Sequence, residues 1–111
     1  MEEIKNTKAL FIIVNAGFAE DALDIARGAG AKGATILNAR GAGPHHEVFM
    51  GITVDSEKEI ILSLVPEEVA EKTMSTIKEK AGIGTPIHGI CFTLPIDKMV
   101  GILPAAQKPE K

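Results

Sequence analysis

Apolar residues fall into short runs along the chain, and the gaps between several of them carry helical spacing. The first run, Ala9 to Val14, is unbroken. Alternation sends Leu10, Ile12 and Val14 to one side and Ala9, Phe11 and Ile13 to the other. This predicts a strand over residues 8–15 that is buried on both faces. Gly17 breaks it. Phe18, Ala22, Ile25, Ala26 and Ala29 then recur at helical spacing, which predicts a helix over 19–29. Glu20 and Asp21 in its first turn and Arg27 near its end suit the helix dipole, and Gly30 suits the C-terminal cap. A second strand follows over 33–40.

The second half repeats the plan. Residues 59–65 predict a strand, with Ile60, Leu62 and Leu64 facing away from Ile61, Ser63 and Val65. Pro66 opens a helix where its missing N–H costs nothing. Ala70, Thr73, Met74, Ile77 and Ala81 form the buried stripe, and Gly82 is placed to cap it. A last strand runs over 89–96, with Ile90, Phe92 and Leu94 opposing Cys91 and Thr93. Between the halves, Val48 to Val54 alternates weakly, as a strand extension or a small hairpin would.

Strand, helix, strand, loop, strand, helix, strand is the order of the double βαβ, or ferredoxin-like, fold. It is an α+β architecture with two helices on one face of a four-stranded antiparallel sheet. The opposite face has no covering element, yet its residues are apolar. Exposed apolar surface of that extent marks an interface, so the pattern predicts a homo-oligomer. One domain is expected over residues 1–103, followed by a flexible polar tail over 104–111.

The chain has 111 residues, no Trp or Tyr, and a net charge of -3. The core must therefore be largely aliphatic, and no basic stripe suggests a nucleic-acid partner. The N-terminus lacks the pattern of a signal peptide, and the longest apolar run is far too short to span a bilayer. With a single cysteine, no internal disulfide can form. A cytoplasmic location is expected.

Candidate chemistry gathers between residues 38 and 59. Arg40-Gly41-Ala42-Gly43-Pro44 reads either as a phosphate-binding turn or as a plain turn chosen for backbone freedom. His45, His46 and Glu47 are metal-ligand types, but adjacent histidines on a strand point to opposite faces. Symmetry-related copies would have to converge, and solvated loop residues are the simpler reading. Pro44, Phe49 and Met50 would suit contact with a partner, or packing back onto the sheet. His88 lies in a second loop, over 82–89, and Cys91 sits among apolar neighbours as a small buried side chain would. No nucleophile–base constellation is present, so an enzyme is not expected.

The element order resembles the P-II signal-transduction family. So do the strand start Gly33-Ala34-Thr35-Ile36, the turn Arg40-Gly41-Ala42-Gly43 before a long loop, the helix start Val65-Pro66-Glu67-Glu68, and the glycine-rich loop before Ile90-Cys91-Phe92. The resemblance covers roughly residues 8–102 and implies a homotrimer. It implies an adenine nucleotide (ATP, ADP or AMP) bound between subunits, and a loop over 41–58 that docks onto a target enzyme or membrane transporter. By that resemblance Thr35 corresponds to an adenine-contacting threonine, Gly41 and Gly43 to glycines at the loop base, and Gly84, Thr85, His88 and Gly89 to a second phosphate loop. Arg40 and Lys98 would supply cations. The sequence departs from the family where Gly89 stands for a lysine, where Lys98 alone stands for paired arginines, in a shorter loop, and in having no loop tyrosine. Fewer cations predict weaker binding of a triphosphate. The alternative on the same fold is a metal-binding trimer of the CutA divalent-cation tolerance type, with His45, His46 and Glu47 as ligands.

Overall fold

A computed structural model describes residues 6–42, 47–49, 52–54 and 56–101. In chain order the elements are β1 (Thr7–Asn15), α1 (Ala19–Ala29), β2 (Thr35–Gly41), β3 (Glu47–Phe49), β4 (Ile52–Val54), β5 (Ser56–Pro66), α2 (Glu67–Lys80) and β6 (Ile90–Pro95). Four strands form one antiparallel sheet in the order β2-β5-β1-β6, and β3 and β4 form a separate hairpin. This is the ferredoxin-like arrangement, and the hairpin is the one that the weak alternation over 48–54 allowed. The expected tail over 104–111 lies outside the described residues.

One face of the sheet carries the core. Leu10, Ile12, Val14, Ile61 and Val65 point into it and meet Ala22, Leu23 and Ala26 of α1 and Ala70 and Ile77 of α2. Leu10, Ile12 and Ile61 are fully buried, and burial of each such side chain stabilises the fold by about 1.5–3 kcal/mol. Among the described residues the buried side-chain polar groups are satisfied. The Ser63 hydroxyl donates to the Gly33 carbonyl at 2.6 Å, and the Thr73 hydroxyl to the Val69 carbonyl at 2.8 Å.

The stripe predicted for α2 is the buried one. In α1, Leu23 is buried beside Ala22 and Ala26, while Phe18 and Ile25 pack at the core margin. Gly30 closes α1 with φ 119°, as its lack of a Cβ allows. At α2 the cap is Ala81 rather than Gly82.

α1 has an unusual start. Its N-cap residue, Phe18, offers no side-chain oxygen. Glu59 of β5 supplies one: its Oε1 accepts the Gly17 N–H at 3.0 Å and the Ala19 N–H at 3.2 Å. A carboxylate there satisfies N–H groups that the helix cannot satisfy itself and lies at the positive end of the dipole.

The other face is open. Register aligns Thr35, Leu62, Phe11 and Phe92 in one row across it, and Leu37, Ile60, Ile13 and Ile90 in the next. Phe92 keeps 38% and Leu94 47% of its surface exposed. The two-sided apolar character of the strands thus has its expected consequence: one side is core, and the other is an uncovered apolar sheet.

Candidate functional site: two loops at one end of the sheet

β5 begins at Ser56, three residues before the expected start at residue 59. Arg40 pairs with Glu57, and Gly41 with Ser56. The connection between β2 and β5 is shorter than the expected 41–58 loop, because its base is sheet. Glu57 and Lys58 looked like loop, but a strand that runs past the helices needs no apolar side chains there.

At that same end β1 finishes and β6 begins, so loop 82–89 lies beside the base of the β2–β5 connection. Asn15 holds the two together. Its backbone N–H donates to the Ile87 carbonyl at 2.9 Å, and its side-chain Nδ2 to the Pro86 carbonyl at 2.9 Å. Its Oδ1 accepts from Lys58 Nζ at 2.7 Å. Alternation places Lys58 and Asn15 on the open face with Thr35, and Arg40 on the helix face. The two cations at the loop base therefore point to opposite sides of the sheet.

Loop 82–89 is tightly built. The Thr85 hydroxyl donates to the Gly82 carbonyl at 2.7 Å and accepts the His88 N–H at 3.2 Å. Gly84 (φ 101°) and His88 (φ 53°) both take left-handed backbone conformations. Gly89 is held by the end of α2. It is buried, its N–H is bonded to the Ala81 carbonyl at 2.6 Å, and a Cβ would stand 2.7 Å from that oxygen. Glycine is required here by packing against the end of α2. Behind the loop, a depression separates Met74 and Lys78 of α2 from Cys91. Burial pushes the Cys91 thiol up to about 12, so it is not an activated nucleophile.

The predicted site residues do not all meet within one chain. Gly41, Gly84, Thr85 and His88 belong to the loop end, and Arg40 borders it. Thr35 sits on the open face in the row of Phe11, six residues from the end of β2. Lys98 follows β6, whose last residue, Pro95, pairs with Lys8 at the far end of β1. Seven residues of strand separate Lys8 from Asn15, roughly 23 Å at about 3.3 Å per residue. Gly43, Pro44, His45, His46 and Met50 lie outside the described residues, as do the side chains of Glu47 and Phe49. Among the described residues no group of three or more His, Cys, Asp or Glu could hold a metal ion, and no helix is long and apolar enough to cross a membrane. Sequence reasoning did not single out Asn15, Lys58 or Glu59. Each acts through a partner more than 40 residues away, and no local pattern reveals that.

A ferredoxin-like sheet with one open apolar face and two loops gathered at one end is an architecture that by itself assigns no function. The model of the family described as nitrogen regulatory protein P-II matches residues 7–105. The chain belongs to the P-II family of signalling proteins. Among solved structures it is similar to CPII, a nitrogen regulatory PII-like protein from Thiomonas intermedia K12, bound to ADP, AMP and bicarbonate. The identity is 26%, the TM-score is 0.63, and 86% of this chain and 96% of that one are covered. The fold is also that of the B. subtilis GlnK-ATP complex, at 18% identity and a TM-score of 0.62, covering 81% of this chain and 84% of that one. No curated protein matches the sequence.

Proposed function

We propose that the protein is a regulator that senses an adenine nucleotide between subunits and acts on a target enzyme or membrane transporter through the 41–58 segment. The likeness to CPII carries this reading, because that protein was captured with ADP, AMP and bicarbonate. Two features of the chain support it. Glycine-rich turns offer backbone N–H groups to an anion, and Gly41 and Gly84 lie at the same end of the sheet. Thr35 and Lys98 lie away from that end, so a site that includes them needs a neighbouring copy. The open apolar face supplies the surface for such assembly, and a homotrimer is the expected form.

The cations are Arg40, Lys58 and Lys98, fewer than a triphosphate would favour. ADP and AMP are therefore the expected ligands ahead of ATP. In this reading the protein regulates rather than catalyses, as the match to the nitrogen regulatory P-II family suggests. Calorimetric titration with ADP, AMP and ATP tests the reading. Saturable binding below millimolar concentration, tighter for ADP or AMP, is expected. No binding of any of the three at millimolar concentration overturns it.

A further inference from the structure

We propose that Asn15 is the joint that couples loop 82–89 to the base of the β2–β5 connection within one subunit. The coupling belongs to the free protein. Only its use in signalling rests on the nucleotide reading above.

An asparagine amide presents a donor and an acceptor in one rigid plane. Here both are engaged, and in different directions: Nδ2 holds the Pro86 carbonyl and Oδ1 holds the Lys58 ammonium. The Asn15 backbone N–H adds a bond to Ile87. The residues that follow continue the pattern toward β5. The Ala16 N–H donates to the Glu57 carbonyl at 3.0 Å, and the Gly17 N–H to the Glu59 carboxylate. The turn after β1 is thus bonded to Glu57, Lys58 and Glu59 on one side and to Pro86 and Ile87 on the other. Glu57 and Lys58 are in turn paired with Arg40 and Ala39 of β2.

A shift of Pro86 and Ile87 must either break two bonds to Asn15 or carry Asn15 with it. In the second case the shift reaches Lys58 directly. Loops are the parts of a fold with the lowest opening free energy. A ligand that orders one of two linked segments lowers the cost of ordering the other. The Asn15 amide adds a direct side-chain link between the two loops to the backbone bonds that already join them through the turn.

Hydrogen exchange on the ligand-free protein tests this. Lys58→Met should speed amide exchange at residues 84–89 about threefold or more, although the substitution lies on β5. Asn15→Asp keeps an oxygen for Lys58 but removes the donor to Pro86. It should speed exchange at 84–89 while residues 57–60 keep their wild-type rates. In the double variant, exchange at 84–89 should be no faster than in Asn15→Asp alone, because the side-chain link from Pro86 to Lys58 is already cut. Unchanged exchange at 84–89 in Lys58→Met, or effects that simply add in the double variant, would overturn the proposal. No nucleotide is used, so a failure of the nucleotide reading leaves this result standing, and the reverse also holds.

Discussion

Phe11 and Phe92 stack on the open face of the sheet, with ring centroids 5.1 Å apart and planes 4° from parallel. They come from the central strand β1 and the edge strand β6, in direct register. The pair forms a flat aromatic plate beside Leu62 and Ile90. Such a plate is poorly suited to water and well suited to a second copy. Light scattering after gel filtration should give a trimer. Phe92→Asp should shift the population toward monomer by placing a charge in the interface. A wild-type monomer at micromolar concentration would remove the intersubunit site.

Glu59 is expected to act as a remote helix cap. Glu59→Ala leaves the Gly17 and Ala19 N–H groups without this acceptor and should destabilise the fold by about 0.5–2 kcal/mol. Glu59→Gln keeps an oxygen and should lose less. Urea denaturation with an unchanged m-value checks both.

Gly89→Ala should destabilise the protein by about 1–3 kcal/mol, because the new methyl group meets the Ala81 carbonyl. Gly84→Ala has open space around it, so any loss there comes from its positive φ. Thermal denaturation of the two variants separates a steric cause from a conformational one. A harmless Gly89→Ala would contradict the close approach.

Arg40→Ala should weaken nucleotide binding if Arg40 meets a phosphate. The expected loss is about 1.5–3 kcal/mol, roughly tenfold or more in affinity. It should shrink at high salt. Calorimetry on wild type and variant decides. Equal affinity would assign Arg40 to the pairing with Glu57 across β2 and β5.

Cys91 should resist thiol reagents at neutral pH in the folded state and react once the protein is denatured, which an Ellman assay with and without denaturant would read. Its raised pKa also fixes a sign for stability. The folded protein holds the proton more tightly than the unfolded chain, so this contribution is intact below the ordinary thiol range. It declines as pH rises from about 8.5 toward about 12. Rapid labelling of the native protein at pH 7 would contradict the burial.

The features legible in the sequence were those set by short-range repetition. Ala70, Thr73 and Ile77 declared the buried side of α2 because helical spacing alone puts them there. Leu10, Ile12 and Val14 likewise declared the inner side of β1. Gly30 was readable because a left-handed cap needs little beyond the residue itself. The site was less legible. Lys58 and Glu59 looked like ordinary charges at a strand boundary, and their roles depend on Asn15, Gly17 and Ala19, 40 to 43 residues away. Gly89 looked like part of a phosphate loop, and only the position of the Ala81 carbonyl shows why a side chain is excluded. Thr35 and Lys98 were assigned by resemblance, and a single chain keeps them apart from the loop end.

β1 starts and β6 stops at the end of the sheet opposite Asn15, Gly41 and loop 82–89. The two ends of the fold are therefore not equivalent as points of attachment. An anchor joined before β1 leaves from roughly 23 Å of strand away from Asn15 and keeps clear of the loop end. One joined after β6 follows Lys98, so it would stand beside a residue of the proposed nucleotide site, and comparing the two fusions would read whether that residue takes part in binding.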